Sequence, residues 1–321
     1  MKFSIFLSTG AAREFAGIPD PSEAYERMVE IAALADRVGY ESLLVPDHLV
    51  TIPPSRDTLF ESWSVLCGLA GETSRIRLGH LVAANGFRQP ALAAKMASTV
   101  DVISRGRLTF GIGAGWWEPD FTQYGFEFGT AADRLRMLDE AAQIILSMWT
   151  QEETTFNGDH YRITGAINEP KGVQRPHIPL LIAGGGEKVT LRLVAKYADA
   201  CNIIASPEDA RHKFAVLAQH CADLGRDPDT ITRTLQTPAI IADTDQQALA
   251  LIPPALDAAI PFDFRTHGLI GSPETIAARI AAFEAAGVEE LVIYFADATS
   301  LEQVAWFADQ FLTESSTATM K

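Results

Sequence analysis

Cysteine is scarce in this sequence, whose 321 residues include only Cys67, Cys201 and Cys221. The three lie far apart and form no CxxC pair, which excludes a disulfide framework and a zinc-finger type of site. Long apolar runs are also missing. The run over residues 3–7 is too short for a signal peptide core or a membrane span, and it has the length of a strand. We therefore expect a cytoplasmic protein with reduced thiols.

Positive charge is in short supply as well. Lysine and arginine total 26 against 41 acidic residues, which gives a formal net charge of −15. Nucleic acids and anionic membrane surfaces are bound through basic faces. We therefore expect neither as a partner, and we expect a small-molecule substrate instead.

Several catalytic signatures are absent too. The sequence has no GxSxG elbow, no HExxH pair and no carboxylate cluster at metal-ligand spacing. These absences disfavour a serine hydrolase and a zinc enzyme, and we predict no metal site. A chain without a nucleophile or a metal indicates chemistry carried by an organic cofactor.

What is present is a regular alternation of short apolar strands and helical patterns. Strands are predicted near residues 2–8, 41–45, 76–84, 107–112, 178–183, 200–204, 231–241 and 290–295. Helices are predicted near residues 22–38, 59–70, 90–104, 131–149, 187–197, 208–224 and 301–311. Apolar strands separated by helices are parallel and covered on both faces. Eight such units fit either a closed barrel or an open doubly wound sheet, and periodicity does not distinguish the two.

Nothing in the sequence divides the chain into domains. It contains no linker-like, repeated or low-complexity segment. We therefore predict one domain over residues 1–321. The longest stretch without a helical pattern, residues 151–177, is interpreted as an excursion between the strand and helix layers.

Ligands bind at the carboxyl ends of the strands in either α/β architecture. The second strand ends in Pro46, Asp47 and His48, and an imidazole there can act as an acid or a base near neutral pH. The third strand leads into Asn85 and Gly86, which suit the close approach of a flat, hydrogen-bonding ring.

Glycines follow the next two strands. The GxGxG sequence from Gly111 to Gly115 has the wrong spacing for a dinucleotide fingerprint and is not followed by a helix start, so we reject a Rossmann fold. The fifth strand ends in three glycines, Gly184 to Gly186, and a helix is predicted from Glu187 or Lys188. Free backbone N–H groups, the helix dipole and the Lys188 charge together predict a phosphate site.

A set of ordered motifs carries a family resemblance. They are Ala35-Asp36-Arg37-Val38-Gly39-Tyr40, Pro46-Asp47-His48, Gln89-Pro90 with residues 94–101, Ser104-Arg105-Gly106-Arg107-Leu108, Gly113-Ala114-Gly115-Trp116, Tyr124-Gly125 and residues 181–199. Along almost its whole length the chain resembles the luciferase-like monooxygenase superfamily, and most of all its branch of coenzyme F420-dependent oxidoreductases. The resemblance implies a luciferase-like (β/α)8 TIM barrel with insertion segments. It also implies a deazaflavin cofactor, coenzyme F420, with FMN as the alternative, and a homodimer.

The resemblance also implies roles for individual residues. His48 falls where deazaflavin enzymes place a histidine beside the ring, and Asp47 would orient it. Leu81 and Val82 would form a non-prolyl cis peptide behind the ring, and Asn85 would approach its polar edge. The cofactor's chain and phosphate would be held by Gly115, Trp116, Gly184, Gly185, Gly186, Glu187 and Lys188. The substrate side would be lined by Phe6, Phe87 and Trp117, together with Trp116.

The expected reaction is hydride transfer between C5 of the deazaflavin and a small organic substrate, with His48 exchanging the coupled proton. Some relatives that oxidise sugar phosphates carry a carboxylate at the position of Trp116, so that activity is not expected here. The alternatives are an FMN-dependent monooxygenase that uses reduced flavin and oxygen and, less favoured, a non-catalytic flavin-binding subunit. Residues 117–128 and 253–267 are expected to form a lid and its wall. Their aromatic residues favour a hydrophobic or aromatic substrate: Phe121, Phe126, Phe128, Phe262 and Phe264.

Overall fold

A computed structural model describes residues 1–253 and 263–312 of the chain. Eight parallel strands form its centre: β1 (Lys2–Phe6), β2 (Ser42–Val45), β3 (Arg77–His80), β5 (Leu108–Gly113), β8 (Leu180–Ala183), β9 (Ala200–Ile203), β10 (Thr232–Ile241) and β12 (Glu290–Phe295). Each strand pairs with the next, and β12 pairs back onto β1. The sheet therefore closes, and the predicted (β/α)8 barrel is confirmed.

Four further strands lie outside this cycle of eight. The short β4 (Ala83–Ala84) resumes the line of β3 and pairs with β5. An antiparallel hairpin is made by β6 (Thr154–Asn157) and β7 (Arg162–Ala166), within the segment interpreted as an irregular excursion. Last, β11 (Leu269–Gly271) pairs in parallel with the final residues of β10, beyond the stretch that pairs with β9.

Helices cover the barrel: α1 (Pro21–Val38), α2 (Ser62–Glu72), α3 (Pro90–Ile103), α4 (Glu118–Gln123), α5 (Ala131–Thr150), α6 (Thr190–Tyr197), α7 (Pro207–Asp223), α8 (Asp245–Ala250), α9 (Phe264–His267), α10 (Pro273–Ala285) and α11 (Leu301–Phe311). The helices α4, α8, α9 and α10 were not predicted from the sequence. Within residues 1–253 and 263–312, no helix combines the length and the apolar character needed to cross a membrane.

Local capping signals set the ends of the longest helices. The Asp20 carboxylate accepts a hydrogen bond from the Ser22 N–H group at 2.8 Å, and Gly39 ends α1 in the left-handed region at φ 100°. Thr130 and Asp133 form a reciprocal capping box at the start of α5. Such caps satisfy N–H and C=O groups that lack partners inside the helix. They explain why the observed bounds of α1 and α5 lie within a residue of the predicted ones.

A small apolar cluster fills the barrel interior beneath the carboxyl ends of the strands. Its buried members come from strands around the barrel: Leu44, Leu81, Leu181, Ala200 and Val292. Phe6, Val82 and Ala183 pack on this cluster and are only partly buried. The interior is therefore plugged, and a ligand at the carboxyl end of the barrel rests on an apolar floor.

Candidate active site

A cavity of about 490 Å³ opens at the carboxyl ends of the strands. Its size falls within the range of small-molecule and cofactor sites. The structure brings together there most of the residues predicted from the sequence: Phe6, Asp47, His48, Leu81, Val82, Phe87, Gly115, Trp116, Trp117, Gly184 and Gly185. The predicted residues that do not line it are Asn85, Gly186, Glu187 and Lys188.

His48 is held by a carboxylate from elsewhere in the chain. Its Nδ1 atom lies 2.6 Å from Oδ2 of Asp120, in the first turn of α4. The other oxygen of Asp120 accepts hydrogen bonds from the backbone N–H groups of Leu49 and Val50, at 2.8 and 2.7 Å. An ionised carboxylate can only accept, so Nδ1 carries the hydrogen and Nε2 is the nitrogen left to exchange a proton. The ring also packs edge-on against Trp116, with centroids 5.9 Å apart.

The prediction that Asp47 orients His48 is therefore wrong. Asp47 is buried, and its carboxylate accepts hydrogen bonds from Arg88 Nη1 at 2.7 Å, from the Ser62 hydroxyl at 2.7 Å and from the Ala84 N–H group at 3.0 Å. Burial is the largest effect on the pKa of Asp47 and raises it, but the Arg88 guanidinium, the neighbouring His80 and hydrogen bonds from Arg88 and Ser62 together hold that pKa below its usual value. Asp47 thus fixes the segment after β3 to the start of α2.

Asn85 also differs from its expected role. It is buried, and its Nδ2 atom donates a hydrogen bond to the hydroxyl of Tyr161 at 3.1 Å. Tyr161 begins the second half of the hairpin that the sequence did not predict. The Asn85 amide therefore anchors this hairpin and does not contribute to the wall of the cavity.

The peptide bond between Leu81 and Val82 is cis, as the family resemblance implied. This segment packs tightly against β5. A Cβ atom built on Gly113 would lie 2.7 Å from Cγ2 of Val82, and one on Gly111 would lie 2.0 Å from the carbonyl oxygen of His80. The glycines of β5 therefore allow the backbone from His80 to Val82 to lie close against this strand.

The helix that follows the glycine loop after β8 starts later than the sequence predicted. Helix α6 begins at Thr190, not at Glu187 or Lys188. The Glu187 carboxylate lies 3.3 Å from Nε2 of His212 and 3.6 Å from Nζ of Lys213, both on α7. Glu187 is thereby directed towards α7, while Lys188 is exposed.

This loop still offers donors to an anion. Among the described residues, no acceptor lies opposite the N–H groups of Gly185 and Gly186. The Nζ atom of Lys213 donates to the carbonyl oxygen of Gly185 at 2.8 Å, which places a positive charge beside them. Gly184 has φ 124°, a conformation that side chains disfavour. Free N–H groups with an adjacent ammonium fit a phosphate.

Aromatic side chains close one side of the cavity. Phe87 packs against Phe121 and Phe126, with ring centroids 4.8 and 5.3 Å apart. Phe264 also lines the cavity, whereas Phe262 lies outside the described residues. Of the segment expected to form a lid, Trp117, Asp120 and Phe121 belong to the cavity wall.

Sequence reasoning missed several residues of the site. Asp120 lies far from His48 in the sequence, and Lys213 comes from a helix and not from a strand end. No local pattern reveals either. Tyr294, near the carboxyl end of β12, and Glu14, in the loop that follows β1, also line the cavity. The rule that ligands bind after the strands points to Tyr294 but not to a loop residue as far from its strand as Glu14.

A sequence model of the luciferase-like monooxygenase family matches residues 1–264. The chain belongs to this family, and it is an oxidoreductase of the luciferase-like type.

Relatives within the family differ in their cofactor. The chain is 27% identical to an FMNH(2)-dependent dimethylsulfone monooxygenase of Pseudomonas putida, over 83% of this chain and 82% of that protein. It is 31% identical to an F420-dependent glucose-6-phosphate dehydrogenase of Amycolatopsis mediterranei, over 53% of this chain and 50% of that protein. A solved F420-dependent secondary alcohol dehydrogenase superimposes with a TM-score of 0.80 at 18% identity, covering 97% of this chain and 98% of that one. The similarities support a flavin or deazaflavin cofactor without selecting one.

Proposed function

We propose that this protein is a coenzyme F420-dependent oxidoreductase that transfers a hydride between the cofactor and a small organic substrate. The observation that carries the proposal is the His48–Asp120 pair, which lines a largely apolar cavity. Reduction of a carbonyl group by hydride requires one proton donor, and the reverse reaction requires one base. A single imidazole fixed by a carboxylate can serve as either.

The cavity residues fit a flat ring that bears a phosphate chain. Leu81, Val82 and the phenyl ring of Phe6 provide apolar surface for a ring. Beside the cavity wall at Gly185, the N–H groups of Gly185 and Gly186, which have no acceptor among the described residues, and the Lys213 ammonium provide an anion site. When bound, a deazaflavin would supply or accept the hydride.

The protein's own residues would orient the reactants and move one proton. Asp120 keeps the hydrogen on Nδ1 of His48, so Nε2 exchanges the proton with the substrate. The aromatic wall formed by Phe87, Phe121 and Trp117 limits the entry of water. The Asp47–Arg88 pair holds the segment that carries Ala84 and Phe87 in place.

An FMN-dependent monooxygenase is the second candidate. It is favoured by the dimethylsulfone monooxygenase, which matches over more of its length than the F420-dependent relative does. Such an enzyme consumes oxygen, whereas a deazaflavin oxidoreductase works without it. A non-catalytic flavin-binding subunit is disfavoured because a binding protein has no need for the His48–Asp120 pair.

The test is turnover under nitrogen. Purified protein is mixed with reduced F420 and a panel of ketones and enones, and reoxidation of the cofactor is followed by its absorbance. We expect reoxidation with at least one compound, loss of that rate in His48→Ala, and no loss in the control His160→Ala, which changes an exposed hairpin histidine. Oxygen-dependent turnover with reduced FMN, and none with F420, would refute the proposal.

We further propose a homodimer formed through the face of α3. Apolar side chains are exposed on this helix and on the segment that runs beside it: Leu92, Val102, Ile103, Ile167 and Val173. Exposed apolar patches of this kind mark association surfaces. Light scattering should give twice the chain mass for the wild type and the chain mass for Leu92→Asp with Ile167→Asp. A wild-type monomer would contradict the proposal.

A further inference from the structure

Glu14 presents a fixed carboxylate to the cavity. Its Oε2 atom accepts a hydrogen bond from the Ala12 N–H group at 2.8 Å, and its Oε1 atom accepts one from the Tyr294 hydroxyl at 3.2 Å. Tyr294 is buried and packs edge-on against Phe6, with centroids 5.7 Å apart. Burial, followed by the nearby Glu14 charge, raises the pKa of Tyr294 well above its usual value, so this hydroxyl stays a neutral donor.

No positive side chain of the described residues pairs with Glu14. The cavity wall contains two other carboxylates, of which Asp47 is paired with Arg88 and Asp120 with His48. Within residues 1–253 and 263–312, no lysine or arginine lines the cavity. The neighbouring Arg13 is directed to Asp57. In this part of the chain, the partners of the Glu14 carboxylate are the neutral Ala12 N–H group and Tyr294 hydroxyl.

The side chains around this carboxylate are mostly apolar. Phe6, Ile52, Phe264 and the two tryptophans line the same cavity, and Gln236 adds one polar amide. A neutral substrate that covered Glu14 would remove its water without replacing the lost interaction, which is unfavourable. An anionic substrate would be repelled. A protonated amine would form charge-assisted hydrogen bonds to the carboxylate, with its apolar body against the aromatic rings.

We propose that Glu14 is a specificity-determining residue and that the substrate is an apolar or aromatic compound with a protonated nitrogen. This inference rests on the proposed function, because it assumes that the cavity holds a substrate. Tyr294 and the Ala12 N–H group position the carboxylate. The substrate ammonium group donates hydrogen bonds to the lone pairs of the carboxylate oxygens that these two donors leave free.

The test compares three probes with a common aromatic body: 2-phenylethylamine, 2-phenylethanol and 3-phenylpropionate. Their binding to the cofactor-loaded protein at pH 7 is followed by tryptophan fluorescence, since Trp116 and Trp117 line the cavity. We expect the amine to bind about tenfold or more tightly than the alcohol, and the carboxylate to bind least. The isosteric Glu14→Gln should abolish this preference by weakening amine binding. Alcohol binding should not weaken, because an amide costs less to desolvate than a carboxylate. The control Glu127→Gln removes an exposed carboxylate that does not line the cavity and should keep the preference.

Three results would overturn the inference. They are amine binding to the wild type that is no tighter than alcohol binding, survival of the preference in Glu14→Gln, and an equal loss of the preference in Glu127→Gln. Cofactor binding is read separately in the same samples from the absorbance of the ring. Failure to bind F420 would refute the proposed function. The amine preference is also measured without cofactor, and it decides the role of Glu14 independently.

Discussion

The side chains of His48 and Asp120 meet at 2.6 Å although the two residues lie 72 positions apart in the sequence. Asp120 also accepts the N–H groups of the two residues that follow His48, Leu49 and Val50. One carboxylate therefore fixes both the imidazole and the loop that carries it. This arrangement makes Asp120 a positioning residue for the proposed proton transfer.

Asp120→Asn should lower kcat by about 100-fold and leave F420 affinity unchanged, because an amide can no longer hold the hydrogen on Nδ1. The pH–rate profile should shift as well, and Asp120→Glu should restore part of the rate. The control Glu118→Gln changes an exposed carboxylate on the same helix and should behave like the wild type. A wild-type kcat and pH profile in Asp120→Asn would show that the pair has no catalytic role.

Arg88→Met should reduce the free energy of unfolding by about 3–5 kcal/mol, because it leaves the buried Asp47 carboxylate without its charged partner. Adding Asp47→Asn should recover part of this loss. Lys2→Met removes an exposed partner of Glu41 and should cost about 0–1 kcal/mol. Urea unfolding monitored by circular dichroism measures all four proteins. Equal losses in Arg88→Met and Lys2→Met would contradict the account of Asp47.

His80 should make the protein sensitive to mild acid. It is fully buried between Trp63 and Phe110, and neither ring nitrogen has a partner in the described part of the chain. Burial lowers the pKa of His80 to about 4. The unfolded chain takes up this proton near pH 6.5, so the stability that His80 contributes is complete above that pH and is lost as the pH falls towards 4. The loss is on the order of 3 kcal/mol.

The change His80→Leu should therefore flatten the dependence of unfolding free energy on pH between 6.5 and 4. Urea midpoints at several pH values measure this dependence. His160→Leu, which changes an exposed histidine, serves as the control and should keep the wild-type slope. The same slope in His80→Leu would show that the buried imidazole does not take up a proton in this range.

Lys213→Met should weaken cofactors that carry a phosphate and spare those that lack it. The expected loss is about tenfold for FMN and none for riboflavin, because in the proposed site only the phosphate would contact the loop at Gly185. The same contrast should hold for F420 against its phosphate-free deazaflavin core. Lys196→Met, on the neighbouring helix α6, is the matched control. Equal weakening of FMN and riboflavin would place the phosphate elsewhere.

The barrel strands were predictable because each is an apolar run that ends in a polar or glycine-rich turn. The closure of the strands into a barrel was not predictable from periodicity. The residues of a strand do not reveal which strand it pairs with, as for β9 with β10 and β12 with β1. The ordered family motifs supplied that information. Two missed elements did carry local signals. Asn157-Gly158 is a hairpin turn sequence, and Ser272-Pro273 is a helix start.

The site was predictable to the extent that it depends on strand ends. Gly184 directly follows its strand, His48 and Val82 come within a few residues of the ends of theirs, and all three line the cavity. The partner of each polar side chain was not predictable, because it is chosen by tertiary packing. Asp47 is nearest to His48 in sequence but is bound to Arg88, and Asn85 is bound to Tyr161.

The most direct test of the account is the affinity of the cofactor-free protein for coenzyme F420 and for FMN, measured in one buffer from the fluorescence of each ring. The account predicts saturable binding of F420, with a Kd at least about tenfold below that of FMN. Binding of FMN without binding of F420 would contradict it and would assign the protein to the oxygen-consuming members of its family.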